Sequence, residues 1–506
     1  FAANEDQFSG TGSIEEWAWD QGCRVIIYGR VSNHPTTTSL SAHDRYVDFI
    51  TRHGWCSGGY CLHYVASAGN MNYAYDSWEW LTNCWISSTA YVQNRFHNGL
   101  IVGGTDPGNR YASSSDETMY QCSSWENIPS SSPDRELPHV VAPAVDVDAG
   151  GVDSGGGGSY GYIEGTSASA SVVGGLVALL LQDTGVSSIL LRLWPEAVRA
   201  IIMVTAWKDV DGTPFSLRDS TDDHDGAGLV SAARATFVAQ QGPWFSSSPV
   251  PEGWYFDIVT SSDFSTYGWY SQERSVSLAP GATLRVALHW TANTNCSSPT
   301  SCNEPQLDMN LNLYLMDMDV PAYVDWSTTQ LNNYEFVEYT NTTQNTRTIT
   351  MKVHRSSYNT TTTYLGMAWD TLPASGYFHA RVCDTTRDTI GLPQYTRSVD
   401  DDFERSQASV AALGNTEYVA AWTRKTSEGP DEHAVAFGHY SKDGAQKRTV
   451  LSHANDAEWP RVSAIGYDRY AIAYGTTPTG TGTGYYGIEA SVFEKFEALP
   501  TSGRID

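Results

Sequence analysis

Hydrophobic residues in the first half of the chain form short continuous runs separated by helical stretches. Runs at Arg24–Tyr28, His63–Ser67 and Gly99–Gly103 are typical of strands buried on both faces of a parallel sheet. The predicted helices of this region are Ser41–Arg52, Ala168–Leu181 and Pro195–Thr205. The pattern predicts a three-layer α/β domain with a mainly parallel sheet over residues 1–238.

A different pattern begins near Gly253 and continues to about Asp370. Apolar and polar residues alternate there along short strands, as in Thr283–Trp290, Leu311–Leu315 and Thr348–Val353. Alternation of period two is typical of antiparallel sheets. We therefore expect an all-β sandwich of the jelly-roll kind over residues 239–395.

The last part of the chain contains an internal repeat with a period of 52 residues. The repeated positions are Val410, Leu413, Tyr418 and Trp422, which recur as Val462, Ile465, Tyr470 and Tyr474. A period near 50 with several short strands per unit is typical of β-propeller blades. Residues 396–506 are therefore interpreted as two propeller-like repeats. We expect the array to be incomplete, because two blades do not close a propeller.

Charge narrows the classes of partner. The 506 residues carry 57 acidic and 30 basic side chains, a net charge of −27. Such a molecule repels phosphate backbones and anionic membranes, so nucleic acid is not an expected partner. No run of about 18 apolar residues occurs, and no transmembrane segment is expected. Abundant Gly, Ser, Thr, Asn, Tyr and Trp are typical of secreted β-rich proteins, so we expect an extracellular location.

Eight cysteines are compatible with disulfide bonds. The candidate pairs are Cys56 with Cys61, Cys84 with Cys122, and Cys296 with Cys302. Cys23 and Cys383 would then be buried thiols or a further pair. Eight unpaired thiols are the alternative.

The segment from Glu164 to Gly175 carries the clearest chemical signal. It reads Glu-Gly-Thr-Ser-Ala-Ser-Ala-Ser-Val-Val-Gly-Gly and runs directly into an apolar stretch. Small residues there let the backbone approach a substrate, and Ser167 is placed at a helix N-terminus. The oriented N–H groups and positive potential of a helix start favour an oxyanion during acyl transfer.

This segment resembles the nucleophile motif of the subtilases, a family of serine peptidases, which reads Gly-Thr-Ser-x-Ala-x-Pro-x-x-x-Gly. The resemblance places Ser167 on the nucleophile, with Gly165 and Thr166 before it as substrate-binding residues. Ser169 replaces the usual Ala and Ser171 the usual Pro. The loss of proline is expected to soften the helix start.

Three further segments resemble the family in the same order. Val65–Asn70 resembles the strand that ends in Ala-Gly-Asn, so Asn70 is the candidate oxyanion-hole donor and Gly69 a candidate substrate-binding residue. Leu137–Pro143 resembles the Ala-Pro strand, and Asp225–Ala232 the Gly-x-Gly-x-Val-x-Ala segment that closes the domain. The resemblance implies a polypeptide substrate, and sandwich domains like the one predicted here follow many secreted bacterial subtilases.

The family's catalytic Asp and His are not matched in this sequence. Only 69 residues precede Asn70, and no His-Gly-Thr-His segment occurs among them. His53 is followed by glycine, but it falls at the end of the predicted Ser41–Arg52 helix, which corresponds to a later helix of the family. A serine hydroxyl without a base in hydrogen-bond reach is inert.

Three interpretations remain open. In the first, Asp and His lie on a preceding segment, which could be the protein's own cleaved N-terminal fragment, and the intact protein is an endopeptidase. In the second, the chain is an inactive subtilase-fold scaffold or binding module. In the third, it is a structural or adhesive surface protein. Retention of both Ser167 and Asn70 favours the first.

Calcium is the candidate cofactor, in a structural role. The carboxylates of Asp308, Asp317 and Asp319 offer the oxygen ligands that Ca²⁺ prefers, and a solvated acidic strand edge is the alternative. A second candidate group lies next to the glycine run 155–158. Its members are Asp146, Asp148 and Asp153.

Overall fold

The computed structural model describes the chain in segments. The segments are residues 14–29, 39–51, 56–57, 60–72, 85–86, 91–106, 118–125, 135–145, 147–152, 158–182, 186–206, 209–211, 215, 217, 223–245, 249–305, 307, 309–358, 362–372, 377–380, 394–397, 405–413, 417–425, 433–441, 446–451, 457–464, 469–476, 487–494 and 501–505. They fall into two compact units, Phe1–Leu372 and Pro373–Asp506.

The first unit opens with an α/β arrangement. Its helices, in the described segments, are α1 (Ile14–Asp20), α2 (Ala42–Phe49), α3 (Thr166–Gln182), α4 (Val186–Leu191), α5 (Pro195–Val204) and α6 (Ala232–Gln240). The strands that precede α3 are β1 (Val25–Tyr28), β2 (Cys56–Ser57), β3 (Tyr60–Cys61), β4 (His63–Ser67), β5 (Met71–Asn72), β6 (Trp85–Ile86), β7 (Leu100–Asp106), β8 (Thr118–Met119), β9 (Val140–Pro143), β10 (Val147–Val152) and β11 (Gly158–Ile163).

The central sheet is mainly parallel, as the apolar runs predicted. β4 pairs in parallel with β1 and β7, and β7 pairs in parallel with β9. β8 is antiparallel to β7. Each predicted run of the first half therefore coincides with a strand of this sheet.

Alternate residues of these strands face two different cores. On one face they pack with α3 and α5, and the strand residues of that core are Val65, Leu100, Val102, Val140 and Ala142. On the other face they pack with α2, and the strand residues of that core are Tyr64, Ala66 and Ile101. Because neighbouring side chains of a strand point to opposite faces, a continuous apolar run fills both layers.

Local signals set the helix starts. The Ser41 side chain accepts a hydrogen bond from the Asp44 N–H at 3.0 Å, while the Asp44 carboxylate accepts from the Ser41 N–H at 3.2 Å. This reciprocal capping begins α2 one residue after the predicted Ser41. Pro195 is the first residue of α5, where a missing N–H costs nothing.

Residues 253–372 form a sandwich of two antiparallel sheets. Its strands are β12 (Gly253–Thr260), β13 (Arg274–Leu278), β14 (Thr283–Trp290), β15 (Cys296–Ser298), β16 (Ser301–Cys302), β17 (Met309–Asp317), β18 (Ala322–Ser327), β19 (Tyr334–Thr340), β20 (Arg347–Tyr358) and β21 (Thr362–Leu372). One sheet has the order β12-β21-β14-β19 and the other the order β13-β20-β17-β18. The β-rich character predicted for this region is confirmed.

The sandwich packs directly on the α/β part. α5 lies across β21 and β14, and one hydrophobic core joins α5 to Trp254, Tyr334 and Phe336 of the sandwich. Seven of the eight residues of β14 are buried, since α5 covers one face of its sheet and the second sheet covers the other. The simple alternation expected from the sequence is lost where both faces are covered.

The second unit consists of short antiparallel sheets, described through their backbone. Its strands are β22 (Tyr377–Ala380), β23 (Gln394–Arg397), β24 (Arg405–Leu413), β25 (Glu417–Lys425), β26 (His433–Ser441), β27 (Gln446–Leu451), β28 (Ala457–Ala464), β29 (Arg469–Thr476), β30 (Gly487–Glu494) and β31 (Thr501–Ile505). Two of its sheets are four-stranded, β24-β25-β26-β27 and β28-β29-β30-β31.

The internal repeat is visible in the register of these two sheets. Val410 pairs with Ala420 in the first, and Val462 pairs with Ile472 in the second, so both partners are displaced by the same 52 residues. The two sheets are therefore equivalent units that recur along the chain. The propeller interpretation stays a prediction.

Disulfide chemistry is present in the first unit. Cys296 and Cys302 form a disulfide across the β15–β16 hairpin, as predicted. Cys61 and Cys122 are each disulfide-bonded, while Cys23 is a free thiol. Cys56 lies opposite Cys61 in the β2–β3 pairing, but its side chain lies outside the described part, as do Cys84 and Cys383. None of the described helices has the length and apolar character needed to cross a membrane.

Candidate active site

The carboxyl end of β4 carries the first predicted site residues. β4 is buried along its whole length, and the chain leaves it through Ala68, Gly69 and Asn70. Gly69 has φ +119°, and a Cβ there would lie 2.9 Å from the Gln93 side chain. Glycine is therefore required where the backbone turns to present Asn70.

Thr166 joins this turn to the start of α3. Its N–H and its hydroxyl both donate to Asn70 Oδ1, each at 2.9 Å. The same hydroxyl oxygen accepts from the Gly69 N–H at 3.1 Å. Two hydrogen bonds thus hold the Asn70 side chain in one orientation, and the third fixes the Thr166 hydroxyl between Asn70 and Gly69.

That orientation leaves the Asn70 amide nitrogen available. Because Oδ1 takes both bonds from Thr166, Nδ2 faces the other way and has no hydrogen-bond partner among the described residues. A Cβ on Gly165 would lie 2.7 Å from Nδ2, and Gly165 has φ +107°. Gly165 therefore provides both the left-handed turn and the space beside the donor.

Ser167 follows Thr166 at the first turn of α3. It is half-buried, and the preceding loop is anchored by a 2.8 Å hydrogen bond from the Gly165 N–H to the Ala144 carbonyl. The helix start places unsatisfied N–H groups and the positive end of the α3 dipole beside the serine. Thr166 therefore adjoins both residues, Ser167 through the chain and Asn70 through hydrogen bonds, and their roles as nucleophile and oxyanion donor stay predictions.

The Ser167 hydroxyl donates to the Gly29 carbonyl at 2.6 Å. Gly29 follows β1, and a Cβ on it would lie 3.2 Å from the Ser167 Cβ, so glycine permits this contact. Within the described segments this carbonyl is the partner of the hydroxyl, and no histidine takes that place. A serine proton held by a backbone carbonyl is not being removed by a base.

Four of the described histidines are buried in the core of the first unit. Burial lowers the pKa of His63 to about 4 and lowers the pKa values of His97, His139 and His289. His97 Nδ1 lies 3.3 Å from Asp48, a pair with the chemistry of a catalytic dyad. The His97 carbonyl, however, accepts from Arg199 and Asn333, which places this pair against the sandwich. His53 lies outside the described residues.

A tyrosine next to the site is also unable to act as a base. Tyr28 precedes Gly29, and burial, followed by the charges of Glu15 and Asp44, raises its pKa to about 12. Its hydroxyl stays protonated at neutral pH. Among the described residues, the Gly29 carbonyl and not a basic side chain is therefore the partner of the Ser167 hydroxyl.

The two departures from the family motif have structural roles. The Ser169 hydroxyl donates to the Ala142 carbonyl at 2.9 Å, which ties α3 to the end of β9. The Ser171 hydroxyl donates to the Ser167 carbonyl four residues earlier, also at 2.9 Å. α3 nevertheless begins at Thr166, so the missing proline does not prevent helix formation at the nucleophile.

The roles predicted for Gly69, Gly165 and Thr166 in substrate binding stay predictions. All three are buried, and the Thr166 hydroxyl is fully engaged with Asn70 and Gly69. Their contacts show them as residues that position the Asn70 side chain. Sequence reasoning missed this function of Thr166 and the acceptor role of Gly29, because both depend on contacts between residues about 100 or more positions apart.

The predicted calcium ligands are only partly described. Asp317 accepts hydrogen bonds from the N–H groups of Asp319 and Val320 and lies 3.7 Å from Arg347. Asp319 accepts from the Thr348 N–H at 2.7 Å. These contacts fit a structural turn. Asp308, Asp146, Asp153 and the side chain of Asp148 lie outside the described part, and calcium binding at either group stays a prediction.

Comparison with known proteins bears on the same half of the chain. Residues 4–233 match the model of the subtilase family. The match covers just under half of the chain and supports a subtilisin-like peptidase domain there. It includes Ser167, Asn70 and the Asp225–Ala232 segment.

The other comparisons add little. No curated protein matches the chain. The solved structure of the Hadza microbial sialidase Hz136 is 9% identical with a TM-score of 0.19, and the alignment covers 51% of this chain and 58% of that one. A likeness of this size carries no argument about fold or function.

Proposed function

We propose that this chain is the nucleophile and oxyanion-hole part of a secreted subtilisin-like serine endopeptidase. The observation that carries the proposal is the Thr166 junction, which holds the Asn70 side chain at the N-terminus of α3, one residue before Ser167. In acyl transfer, Ser167 Oγ would attack the scissile carbonyl. Asn70 Nδ2 and the helix N–H groups would stabilise the oxyanion that forms.

The catalytic Asp and His are proposed to be supplied by a segment that precedes these residues in the gene product. Two observations support this. The sequence has no match to the family's Asp and His segments, and the Ser167 hydroxyl donates to the Gly29 carbonyl. Docking of a histidine at Ser167 would require the hydroxyl to exchange that carbonyl for the imidazole nitrogen.

An extracellular location is part of the proposal. Disulfides persist mainly in oxidising compartments. Four cysteines in the described part of the first unit are disulfide-bonded, namely Cys61, Cys122, Cys296 and Cys302. The net charge of −27 fits a soluble partner such as a polypeptide and disfavours nucleic acid.

The test compares this chain with the longer product of the same gene, each labelled with a fluorophosphonate probe and assayed on an unstructured protein substrate. We expect labelling and turnover in the longer protein and neither in the isolated chain. Ser167→Ala should abolish both. Ser171→Ala, an exposed serine of the same helix, should keep the label. Asn70→Ala should lower kcat by about 10²–10³, the loss known for an oxyanion donor of this kind in subtilisin.

Two outcomes would overturn the proposal. Labelling of Ser167 in the isolated chain would mean that a base is present within it. Absence of labelling and turnover in both forms would favour the second function, an inactive scaffold or adhesive surface protein that has retained the fold.

A further inference from the structure

Aromatic side chains gather on the outer face of the β13-β20-β17-β18 sheet, on the side of the sandwich that faces away from α5. Leu311, Leu313 and Leu315 of β17 point inward and fill the core between the two sheets. Because successive side chains of a strand point to opposite faces, Asn312 and Tyr314 point outward. Together with Tyr314, four further side chains form the outer ring cluster, namely Trp269, Tyr323, Trp326 and His354.

The rings of the cluster hold one another in place. Trp269 contacts Tyr314 edge to face with a centroid distance of 5.3 Å, and it contacts His354 at 4.8 Å. Tyr323 lies 5.3 Å from Tyr314, and its plane is within 15° of the Trp269 plane. Tyr323 is nevertheless 46% exposed and Trp326 41% exposed. Aromatic side chains that are exposed together and fixed by their neighbours are typical of binding surfaces.

Two polar side chains beside these rings lack hydrogen-bond partners. Asn312 lies directly opposite His354 in the pairing of β17 with β20, so the two side chains are neighbours on the outer face. Asn312 is only 7% exposed, and its amide has no hydrogen-bond partner among the described residues. His354 Nε2 lies 3.1 Å from the Tyr267 carbonyl, which can only accept, so Nε2 carries the proton and Nδ1 is an acceptor.

His354 Nδ1 is buried and has no donor in the described part of the chain. A polar group that is buried without a partner is costly, and most such groups in folded proteins are paired with protein, water or ligand. The Asn312 amide and His354 Nδ1 therefore indicate a ligand that brings neutral hydrogen-bonding groups of its own.

The charge beside the cluster is already neutralised. Lys352 lies opposite Tyr314 in the β17–β20 pairing. Its Nζ is 5.4 Å from the centroid of the Trp269 ring and 2.8 Å from a carboxylate oxygen of Glu273. The Lys352 charge is therefore not available to an anionic ligand, which the net charge of −27 disfavours as well. The outer ring cluster suits an uncharged ligand.

We propose that the outer ring cluster binds a neutral oligosaccharide. Each sugar ring has an apolar C–H face and a rim of hydroxyl groups that both donate and accept hydrogen bonds. The C–H face would stack on the exposed rings of Tyr323 and Trp326. The hydroxyl groups would bond to the Asn312 amide and, through water, to His354 Nδ1. An apolar area with a few placed polar groups is the usual composition of a small-ligand site. The proposal goes beyond the peptidase function and does not rest on it.

The test titrates the full chain by calorimetry with neutral hexasaccharides, namely cellohexaose, mannohexaose, chitohexaose and maltohexaose. Hexagalacturonate is the anionic comparison. We expect saturable binding of at least one neutral sugar, and weaker binding of hexagalacturonate because Lys352 is already paired with Glu273. The proposal is overturned if none of the neutral sugars binds, which would favour a protein as the partner of this face, or if hexagalacturonate binds at least as tightly as they do.

Variants assign the binding to the outer ring cluster. Tyr323→Ala should weaken it about tenfold or more, since the ring offers a stacking surface. Asn312→Leu should weaken it about tenfold, while the melting temperature stays equal or rises because the substitution removes a buried amide that has no partner. Phe245→Ala is the matched control, because Phe245 is an exposed aromatic residue that contacts Tyr255 and Phe256 of the other sheet. Its binding should be unchanged. Equal affinities for the unchanged protein, Tyr323→Ala and Asn312→Leu would overturn the proposal.

Discussion

The contact between α5 and the sandwich should be highly sensitive to the addition of a single carbon atom at Gly366. Gly366 lies in β21 directly under α5. A Cβ at this position would lie 2.2 Å from the Ala197 nitrogen, 2.4 Å from the Glu196 carbonyl carbon and 2.7 Å from the Ala197 Cα. Every one of these atoms is backbone, so no side chain can rotate away. We therefore expect Gly366→Ala to destabilise the fold.

The structure sets the size of the effect. Contacts under 3.4 Å are already tight, so α5 and β21 would have to separate by more than 1 Å. β21 cannot yield easily, since Gly366 pairs with Phe256 on one side and with His289 on the other. Overpacking of a core costs about 1–3 kcal/mol, and backbone against backbone lies at the upper end. Alanine also lowers the conformational entropy of the unfolded chain, which offsets at most about 1 kcal/mol of this cost. The expected loss in the free energy of unfolding is therefore about 2 kcal/mol.

The assay is urea unfolding of the full chain, followed by tryptophan fluorescence, because Trp254 and Trp369 are fully buried in the two cores next to β21. Gly175→Ala is the matched control. Gly175 lies within α3, and a Cβ there meets nothing within 4 Å, so alanine should stabilise the protein by about 0.5–1 kcal/mol. The reasoning is refuted if Gly366→Ala unfolds within 0.5 kcal/mol of the unchanged protein while Gly175→Ala shows its expected gain.

Two further predictions concern buried charge. Arg234 donates to both carboxylate oxygens of Asp370, which is fully buried. Arg234→Met should therefore lower the free energy of unfolding in urea by about 3–5 kcal/mol, and Arg234→Lys by clearly less. Equal losses for the two variants would contradict the role of the paired hydrogen bonds. Burial lowers the pKa of His63 from 6.5 to about 4, so the unfolded state binds a proton at higher pH than the folded state does. As the pH drops from 6.5 towards 4, this group should lower the free energy of unfolding by about 3 kcal/mol. Over the same pH range, the free energy of unfolding of the His63→Gln variant should fall by about 3 kcal/mol less than that of the unchanged protein. Parallel pH profiles for the variant and the unchanged protein would show that His63 does not contribute.

Several features of this protein could be predicted from the sequence because they depend on neighbouring residues. The apolar runs of β1, β4 and β7 and the start of α5 at Pro195 follow from local periodicity and from the lack of an N–H in proline. The Gly-Thr-Ser motif predicted a loop that turns into a helix, and α3 begins within it at Thr166. The 52-residue repeat predicted two equivalent sheets, and their registers repeat with that spacing.

The tertiary structure alone decided what these elements contact. The Ser167 hydroxyl meets the Gly29 carbonyl 138 residues away, and Thr166 meets Asn70 across 96 residues. Burial of β14 on both faces depends on α5, which packs across its sheet. Residues so far apart in sequence leave no periodic signal, since their contacts are chosen by the packing of whole layers.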